Sequence, residues 1–111
     1  MSIEIMKVVY TPDGDTIRVF RTIGTGPEEI RVRLAYIDAP EIGHPPSHAS
    51  AINARAYLRR LLNLGERVEV RILGQDVYGR LIAEVINLRN YANCGLRMVA
   101  GGYAALYQCP R

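Results

Sequence analysis

Two acidic turns are the first residues in this sequence that suggest chemistry. One is Asp13-Gly14-Asp15-Thr16 and the other is Asp38-Ala39-Pro40-Glu41. Carboxylate oxygens bind hard cations, so Asp15 and Asp38 can each supply a calcium ligand while water and a substrate phosphate complete the coordination. Glu41 lies three residues beyond Asp38 and can act as a general base on a water beside such a metal.

Two arginines, Arg33 and Arg80, add permanent positive charge. A guanidinium group is a planar fork that contacts two phosphate oxygens at once and stabilises the extra negative charge of a transition state. Phosphodiester hydrolysis needs an activated water, a stabiliser of negative charge and a positioned phosphate. The acids and arginines together therefore predict this reaction, provided that folding brings them into one place.

Each of these residues also has an ordinary structural interpretation. Aspartates beside a glycine commonly form turns. Asp38 and Glu41 can solvate a loop or cap the helix that follows, and arginines on strands are most often solvated. Only the occurrence of all of them together favours a site over these separate roles.

The elements that must position these residues are mainly β-strands. Strand-like composition covers five segments, 3–10, 16–22, 29–34, 67–72 and 80–86. Apolar residues at helical spacing follow Ser47, a predicted helix cap, and continue to Asn63, before Gly65. Turns are expected at 24–27 and 74–79, a loop at 38–47, and a short helix around 96–99.

This order of elements predicts the fold class α+β, mainly β, as a single domain over 1–111. Short strands in a meander, then a long helix, then a hairpin suit a five-stranded OB-fold barrel with the helix packed on it and a short C-terminal helix. In the third strand, Ile30, Val32 and Leu34 share one face and Arg33 points away from it. The helix should pack against the sheet through one apolar face, made of Ala51, Ala54, Leu58, Leu61 and Leu62.

Composition and charge narrow the function classes. The 111 residues carry a net charge of +3 and a pI near 9.1, which is compatible with a polyanionic partner. Arginine or glutamate interrupts every apolar run before it reaches the roughly 18 residues of a membrane span, so we expect no membrane partner. No signal peptide is visible at the N-terminus, Met1-Ser2-Ile3-Glu4-Ile5.

Several other polar residues are not expected to form sites. Cys94 and Cys109 match no metal-ligand spacing. His44 and His48 are separated by prolines rather than by a helical turn, so no zinc site is expected there. The basic face of the helix, made of Arg55, Arg59 and Arg60, is interpreted as a solvated surface. Two tyrosines, Tyr103 and Tyr107, are interpreted as core or rim residues.

Four segments in order along nearly the whole chain resemble the motifs of the staphylococcal nuclease (thermonuclease) family. They are Asp13-Gly14-Asp15-Thr16, Val32-Arg33-Leu34, Ile37-Asp38-Ala39-Pro40-Glu41 and Asp76-Val77-Tyr78-Gly79-Arg80. The resemblance implies a calcium-dependent endonuclease that cleaves DNA and RNA with low sequence specificity, prefers single-stranded or denatured nucleic acid, and acts as a monomer. Members of the family are often secreted.

The resemblance also implies a role for each matching residue. Calcium would be bound by Asp15, Asp38 and the main-chain oxygen of Ala39. Arg33, Glu41 and Arg80 would be catalytic, with Glu41 as the general base. Tyr78 would contact the bound nucleotide.

The sequence departs from the family pattern at several points. Ala39 replaces the threonine of the founding enzyme but keeps its main-chain oxygen, whereas Val77 replaces a lysine or arginine of many relatives and removes a phosphate contact. The loop after Glu41 is shorter than in the founding enzyme. Two alternatives therefore stay open: a module that binds nucleic acid or protein without cleaving it, and a barrel whose acidic loops are incidental.

Overall fold

A computed structural model describes residues 2–23, 26–43 and 48–107, with the side chains of residues 22 and 23 excepted. The elements in chain order are β1 Ser2–Asp13, β2 Thr16–Ile23, β3 Gly26–Leu34, β4 Ile37–Asp38, α1 His48–Leu61, β5 Arg67–Gln75, β6 Leu81–Asn87, α2 Cys94–Ala100 and β7 Ala105–Leu106. Within this part of the chain, five strands close into a barrel in the order β1-β2-β3-β6-β5. The prediction of a mainly β, five-stranded barrel with one long and one short helix is confirmed.

Barrel closure depends on one parallel pair of strands. The β1–β2, β2–β3, β1–β5 and β5–β6 ladders are antiparallel, whereas β3 and β6 run parallel, with Val32 opposite Leu81 and Arg33 opposite Ile82. Parallel strands cannot be joined by a tight turn and need a long crossover connection. The chain between β3 and β6 supplies it through β4, α1 and β5.

Side chains alternate between the barrel interior and the outside as the sequence predicts. In β3, Val32 and Leu34 are buried, Ile30 packs partly against the core, and Arg33 lies on the opposite face. Burying such aliphatic side chains contributes roughly 1.5–3 kcal/mol each before conformational entropy is subtracted. The alternation therefore both stabilises the barrel and directs Arg33 out of its core.

The long helix α1 covers the barrel with the predicted apolar face. Ala51, Ala54 and Leu58 on the helix are fully buried, and Leu62 just after it is 1% exposed. Gly65 ends this connection in the left-handed region, with φ of 81°. The small alanine side chains let the helix lie close to the barrel, and Ala54 lies against the turn at Gly14.

Some element boundaries differ from the prediction. Gly26 and Pro27 were expected to interrupt the chain but begin β3, where proline is tolerated because the first residues of a strand need fewer ladder donors. The fourth barrel strand, β5, continues past the expected turn at Gly74 to Gln75, with a register shift between Ile72 and Gly74. Arg80 precedes β6 instead of starting it. The predicted helix cap, Ser47, lies outside the described residues.

A second, two-stranded sheet was not predicted. Ile37 and Asp38 of β4 pair with Leu106 and Ala105 of β7, so Asp38 lies on a short strand and not in the expected loop. Tyr36 precedes β4 with φ of 69°, in the left-handed region that non-glycine residues seldom adopt. This turn folds the chain sharply after β3. In the described part of the chain, no helix is long and apolar enough to cross a membrane.

Gly14 provides a test of the packing between α1 and the first acidic turn. A Cβ atom at Gly14 would lie 2.7 Å from the Cβ of Ala54 and 3.0 Å from that of Ala39. We expect Gly14→Ala to reduce the free energy of unfolding by roughly 1–3 kcal/mol through overpacking, as measured by urea denaturation. The control is Gly74→Ala, because a Cβ there meets nothing within 4 Å. Equal effects of the two substitutions would show that the close approach at Gly14 is not a constraint.

Candidate active site

Asp15 is the most enclosed of the predicted charged site residues. It ends the turn between β1 and β2 and is 6% exposed. Its Oδ1 accepts a hydrogen bond from the Thr16 hydroxyl at 3.2 Å, its Oδ2 accepts one from the Ala39 amide at 2.9 Å, and its main-chain oxygen accepts one from the Leu34 amide at 2.8 Å. Leu34 precedes the β3–β4 turn and Ala39 follows it, so segments on both sides of this turn hold Asp15 in place.

Arg33 joins the two predicted metal-binding acids. Its Nη2 lies 3.2 Å from Asp38 Oδ1 and 3.6 Å from Asp15 Oδ2. Its Nη1 donates to the main-chain oxygens of Leu34, at 2.9 Å, and Ile37, at 2.8 Å. Because one nitrogen contacts both carboxylates, the two acids face the same point, with Asp38 largely exposed and Asp15 buried.

The surroundings of Asp15 oppose its ionisation. Burial raises the pKa of Asp15 because a desolvated carboxylate is unfavourable. The charge of Arg33 and the Ala39 amide act in the other direction, and the nearby charges of Asp13 and Asp38 raise the pKa further. The balance leaves the pKa of Asp15 above its usual value, and a cation bound beside this carboxylate would favour its ionised form.

Arg80 reaches the same cluster from the hairpin between β5 and β6. Its Nη1 donates to Thr16 Oγ1 at 3.1 Å, and its Nε donates to Asp76 Oδ2 at 2.7 Å. The Thr16 hydroxyl therefore accepts from Arg80 and donates to Asp15. Thr16 is buried and was not predicted as a site residue, although it belongs to the first acidic motif.

Asp76 organises the hairpin that carries Arg80. Its Oδ1 accepts from the main-chain amides of Tyr78 and Arg80, both at 2.9 Å. Burial alone would raise the pKa of Asp76, but the hydrogen bonds from the Arg80 amide and side chain and from the Tyr78 amide outweigh it, so the pKa is lowered. The carboxylate thus stays ionised and holds the arginine. Asp76 belongs to the fourth motif, but no role was predicted for it.

Tyr78 lies beside Arg80 on the surface. Its ring centroid is 5.7 Å from the Arg80 guanidinium carbon, and the residue is 70% exposed. A cavity of about 460 Å³ is lined by both site arginines together with Tyr78 and Tyr107. Tyr107, expected in the core or at the rim, is 40% exposed and lies at the edge of this cavity. The volume is within the range of roughly 300–1,000 Å³ typical of small-molecule sites.

Glu41 is exposed and follows Pro40 on the same segment as Asp38. Its neighbours in sequence hold this segment against the first acidic turn. The Ala39 amide donates to Asp15 Oδ2 at 2.9 Å, and the Ile42 amide donates to Asp13 Oδ1 at 3.4 Å. The segment that carries Glu41 is thus tied to the acid cluster on both sides.

The donors in this cluster suit a hard cation. Among residues 2–23, 26–43 and 48–107, no group of three or more His, Cys, Asp and Glu side chains is placed to hold a metal. The carboxylates of Asp15 and Asp38 converge nonetheless on Nη2 of Arg33, and the Ala39 amide contacts Asp15. An oxygen-only set with two carboxylates fits a calcium-like ion that takes its remaining ligands from water and a phosphate.

Within the described part of the chain, the histidine and the cysteine give no second metal site. His48 Nδ1 accepts a hydrogen bond from the Gly43 amide at 3.0 Å, while His44 lies outside the described residues. Cys94 is buried, and burial raises the pKa of its thiol to about 12. The thiol is therefore an unreactive part of the core. Cys109 is outside the described residues.

Comparison with known proteins agrees with the family resemblance of the motifs. The profile of the family described as "Staphylococcal nuclease homologue" matches residues 31–111. Among curated proteins, "Probable endonuclease LCL3" of Coccidioides posadasii is 32% identical over 92% of this chain and 40% of that protein. The protein of the same name from Uncinocarpus reesii is 33% identical over 92% of this chain and 41% of its own length. The chain therefore spans about two fifths of these relatives.

The raised pKa of Asp15 predicts how stability changes with pH. The folded protein binds the Asp15 proton more tightly than the unfolded chain, so this stabilisation is fully present below the ordinary value of 3.8 and is lost as pH rises through the folded-state pKa. We expect Asp15→Asn, which cannot ionise, to gain stability relative to the wild type as pH increases from 3 to 7. Urea denaturation across that range, without added metal, measures the difference. A difference that stays constant or shrinks with rising pH would contradict the prediction.

Proposed function

The chain belongs to the staphylococcal nuclease family, and from that premise we propose that it is a calcium-dependent endonuclease that hydrolyses DNA and RNA with low sequence specificity. The observation that carries the proposal is the convergence of two acids and two arginines at one place. Asp15, Arg33, Asp38 and Arg80 are joined by contacts of 3.6 Å or less, directly or through Thr16. A turn, a strand, a second sheet and a hairpin must all be in position for this to occur.

The acids would hold the cation. Asp15 and Asp38, with the main-chain oxygen of Ala39, would bind Ca²⁺, which when bound supplies positive charge to a phosphate oxygen and orients the phosphate. Asp15 is preorganised for this by the hydrogen bonds of Thr16 and Ala39. Asp38 is exposed enough to adjust to the incoming ligand.

The arginines would bind and stabilise the reacting phosphate. Nη1 of Arg33 and Nε of Arg80 are already held by main-chain oxygens and by Asp76, which fixes the planes of both guanidinium groups. Donors that are already fixed need little reorganisation when charge develops in the transition state. This is the property that a phosphoryl-transfer site requires.

Glu41 would accept a proton from the attacking water. It is exposed on a segment held against the acid cluster through Ala39 and Ile42, and this placement supports the role. A carboxylate base removes the proton as the oxygen attacks phosphorus, and a positioned base of this kind contributes roughly 10²- to 10⁴-fold to the rate.

The substrate would be a single strand, bound by a monomer. Tyr78 is exposed at the edge of the cavity lined by the two arginines, where an unpaired base can stack on the ring while its phosphate meets Arg80. Bases inside a duplex are already stacked on each other and are not available for this contact. Val77 is 92% exposed beside it and contributes no charge, so this hairpin binds phosphate through Arg80.

Cleavage of heat-denatured DNA and of RNA tests the proposal directly. We expect the wild type to release acid-soluble fragments with calcium and to lose this activity with a chelator. Glu41→Gln should lower turnover by roughly 10²- to 10⁴-fold with calcium because it removes the base. Circular dichroism of the variant provides the control for folding. Cleavage that survives chelation would exclude the metal mechanism, full activity of Glu41→Gln would exclude Glu41 as the base, and binding without cleavage would favour the nucleic-acid-binding module.

Thr16 allows a second test, of the connection between Asp15 and Arg80. Thr16→Val keeps the side-chain shape but removes the hydroxyl that links them. We expect turnover to fall by about fivefold, because one hydrogen bond is worth about 1 kcal/mol and about 1.4 kcal/mol corresponds to a factor of ten. Thr16→Ser, which keeps the hydroxyl, should retain most of the activity. Similar turnover in Thr16→Val and Thr16→Ser would show that the hydroxyl positions nothing.

A further inference from the structure

Aromatic and basic side chains form a stripe on the outer face of the barrel, away from the acid cluster. The stripe consists of Lys7, Tyr10, Arg18, Phe20, Arg59 and Arg67, all of them exposed. We propose that this outer stripe is a second binding surface for single-stranded nucleic acid, which holds a long substrate while another part of the strand occupies the candidate active site. The choice of nucleic acid as the ligand rests on the proposed nuclease function, and no other part of the proposal depends on that function.

Unpaired positive charge beside an apolar surface marks one end of the stripe. Lys7 on β1 is directly opposite Arg67 on β5 and Phe20 on β2. Like charges opposite each other destabilise a sheet, and no ion pair within the described part of the chain reaches Lys7 or Arg67. A cavity of about 350 Å³ lies between these side chains, with Ile5 and Pro27 in its lining. An anion with a planar apolar part would pair with the positive charges of Lys7 and Arg67 and would also cover the exposed Phe20 ring.

Tyr10 forms the other end of the stripe. The Arg59 guanidinium carbon lies 5.2 Å from the Tyr10 ring centroid and that of Arg18 lies 5.9 Å from it. Arg59 is held there because its Nε donates to the main-chain oxygen of Thr11 at 3.1 Å. A register shift between Val8 and Tyr10 lets both Lys7 and Tyr10 point outward, although regular alternation would place them on opposite faces. The bulge therefore joins the two ends into one surface.

The chemistry of the stripe favours single-stranded nucleic acid over other anions. Arg18 is opposite Tyr10 and two residues from Phe20, so the two aromatic positions are separated by about 7 Å along β2. Two such platforms can each receive an unstacked base while the cations contact the phosphates. An acidic peptide would use the charges but leave the aromatic rings without partners. Beyond Tyr10, β1 continues to Asp13, where the first acidic turn begins, so the stripe leads toward the candidate active site.

Binding measured in a chelator, where calcium-dependent cleavage is absent, tests the stripe. The probe is a fluorescent 20-residue oligothymidylate, titrated by anisotropy at several salt concentrations. We expect Lys7→Gln/Arg67→Gln to weaken binding about tenfold and to reduce the slope of log Kd against log salt by about 1.4, because each phosphate contact to a single strand contributes about 0.7. Phe20→Ser should weaken binding about tenfold through lost stacking, with the slope unchanged.

Matched controls separate this surface from general charge effects. Arg60→Gln/Arg97→Gln removes two exposed cations outside the stripe and should leave both the affinity and the slope near the wild-type values. Cleavage of a dinucleotide with calcium, whose single phosphodiester occupies only the candidate active site, should be the same in both double variants. Failure of the wild type to cleave either heat-denatured DNA or RNA would instead refute the nuclease function and leave the binding comparison intact.

Three outcomes would overturn the proposal. The first is an unchanged slope in Lys7→Gln/Arg67→Gln, and the second is an equal loss of affinity in the two double variants. The third is displacement of the oligothymidylate by polyglutamate as effectively as by unlabelled polythymidylate of equal charge, which would make the stripe a site for acidic polymers in general. Thermal unfolding of each variant excludes misfolding as the cause of a loss.

Discussion

The parallel pairing of β3 with β6 is the contact on which the candidate site depends. It places Ile82 beside Arg33, and Arg33 is in turn opposite Thr16 on β2, so three strands contribute to one rung of the barrel. Arg80 lies two residues before Ile82 and reaches Thr16 from there. Residues far apart in the chain therefore meet because the barrel closes, and the entropy of closing so long a connection is offset by the buried aliphatic side chains of the core.

The residues of the candidate site destabilise the folded barrel. Asp15 is buried next to two other carboxylates, and its pKa is raised by burial in spite of the Arg33 charge and the Ala39 amide. A protein with a neutral side chain at position 15 would have a higher free energy of unfolding. Gly14 adds a second constraint, because the turn that exposes Asp15 to the cluster must pass within contact distance of Ala54. Such local conflicts are expected where a structure is arranged for chemistry.

Local patterns in the sequence were sufficient to predict the five barrel strands and the long helix. Alternation in β3 gives the outward direction of Arg33, and helical spacing identifies the buried face of α1. The order of the four motifs identified the family that the comparisons confirm. The calcium ligands and the catalytic roles remain predictions, because the structure brings the side chains together without testing what they bind or do.

What the sequence did not predict depends on contacts between distant segments. The pairing of β4 with β7 moves Asp38 from a loop onto a strand, and its partner residues lie more than 60 positions away, where no local pattern could indicate them. Thr16 and Asp76 belong to motifs but were given no role, because the role of each depends on a hydrogen bond with Arg80. The bulge that turns Tyr10 outward is likewise invisible to a two-residue periodicity, which assumes an unbroken strand.

Arg33 shows how the site can be ordered before any ligand binds. Nη1 is fixed by the main-chain oxygens of Leu34 and Ile37, which the left-handed turn at Tyr36 brings to the same side. Nη2 contacts the two acids instead, and these contacts are the ones that a cation and a phosphate would replace. Because two hydrogen bonds to the main chain hold Nη1, Arg33 would exchange carboxylate for phosphate at Nη2 without changing its position. Binding would then cost little side-chain entropy, and the positive charge would already face the phosphate before the reaction begins.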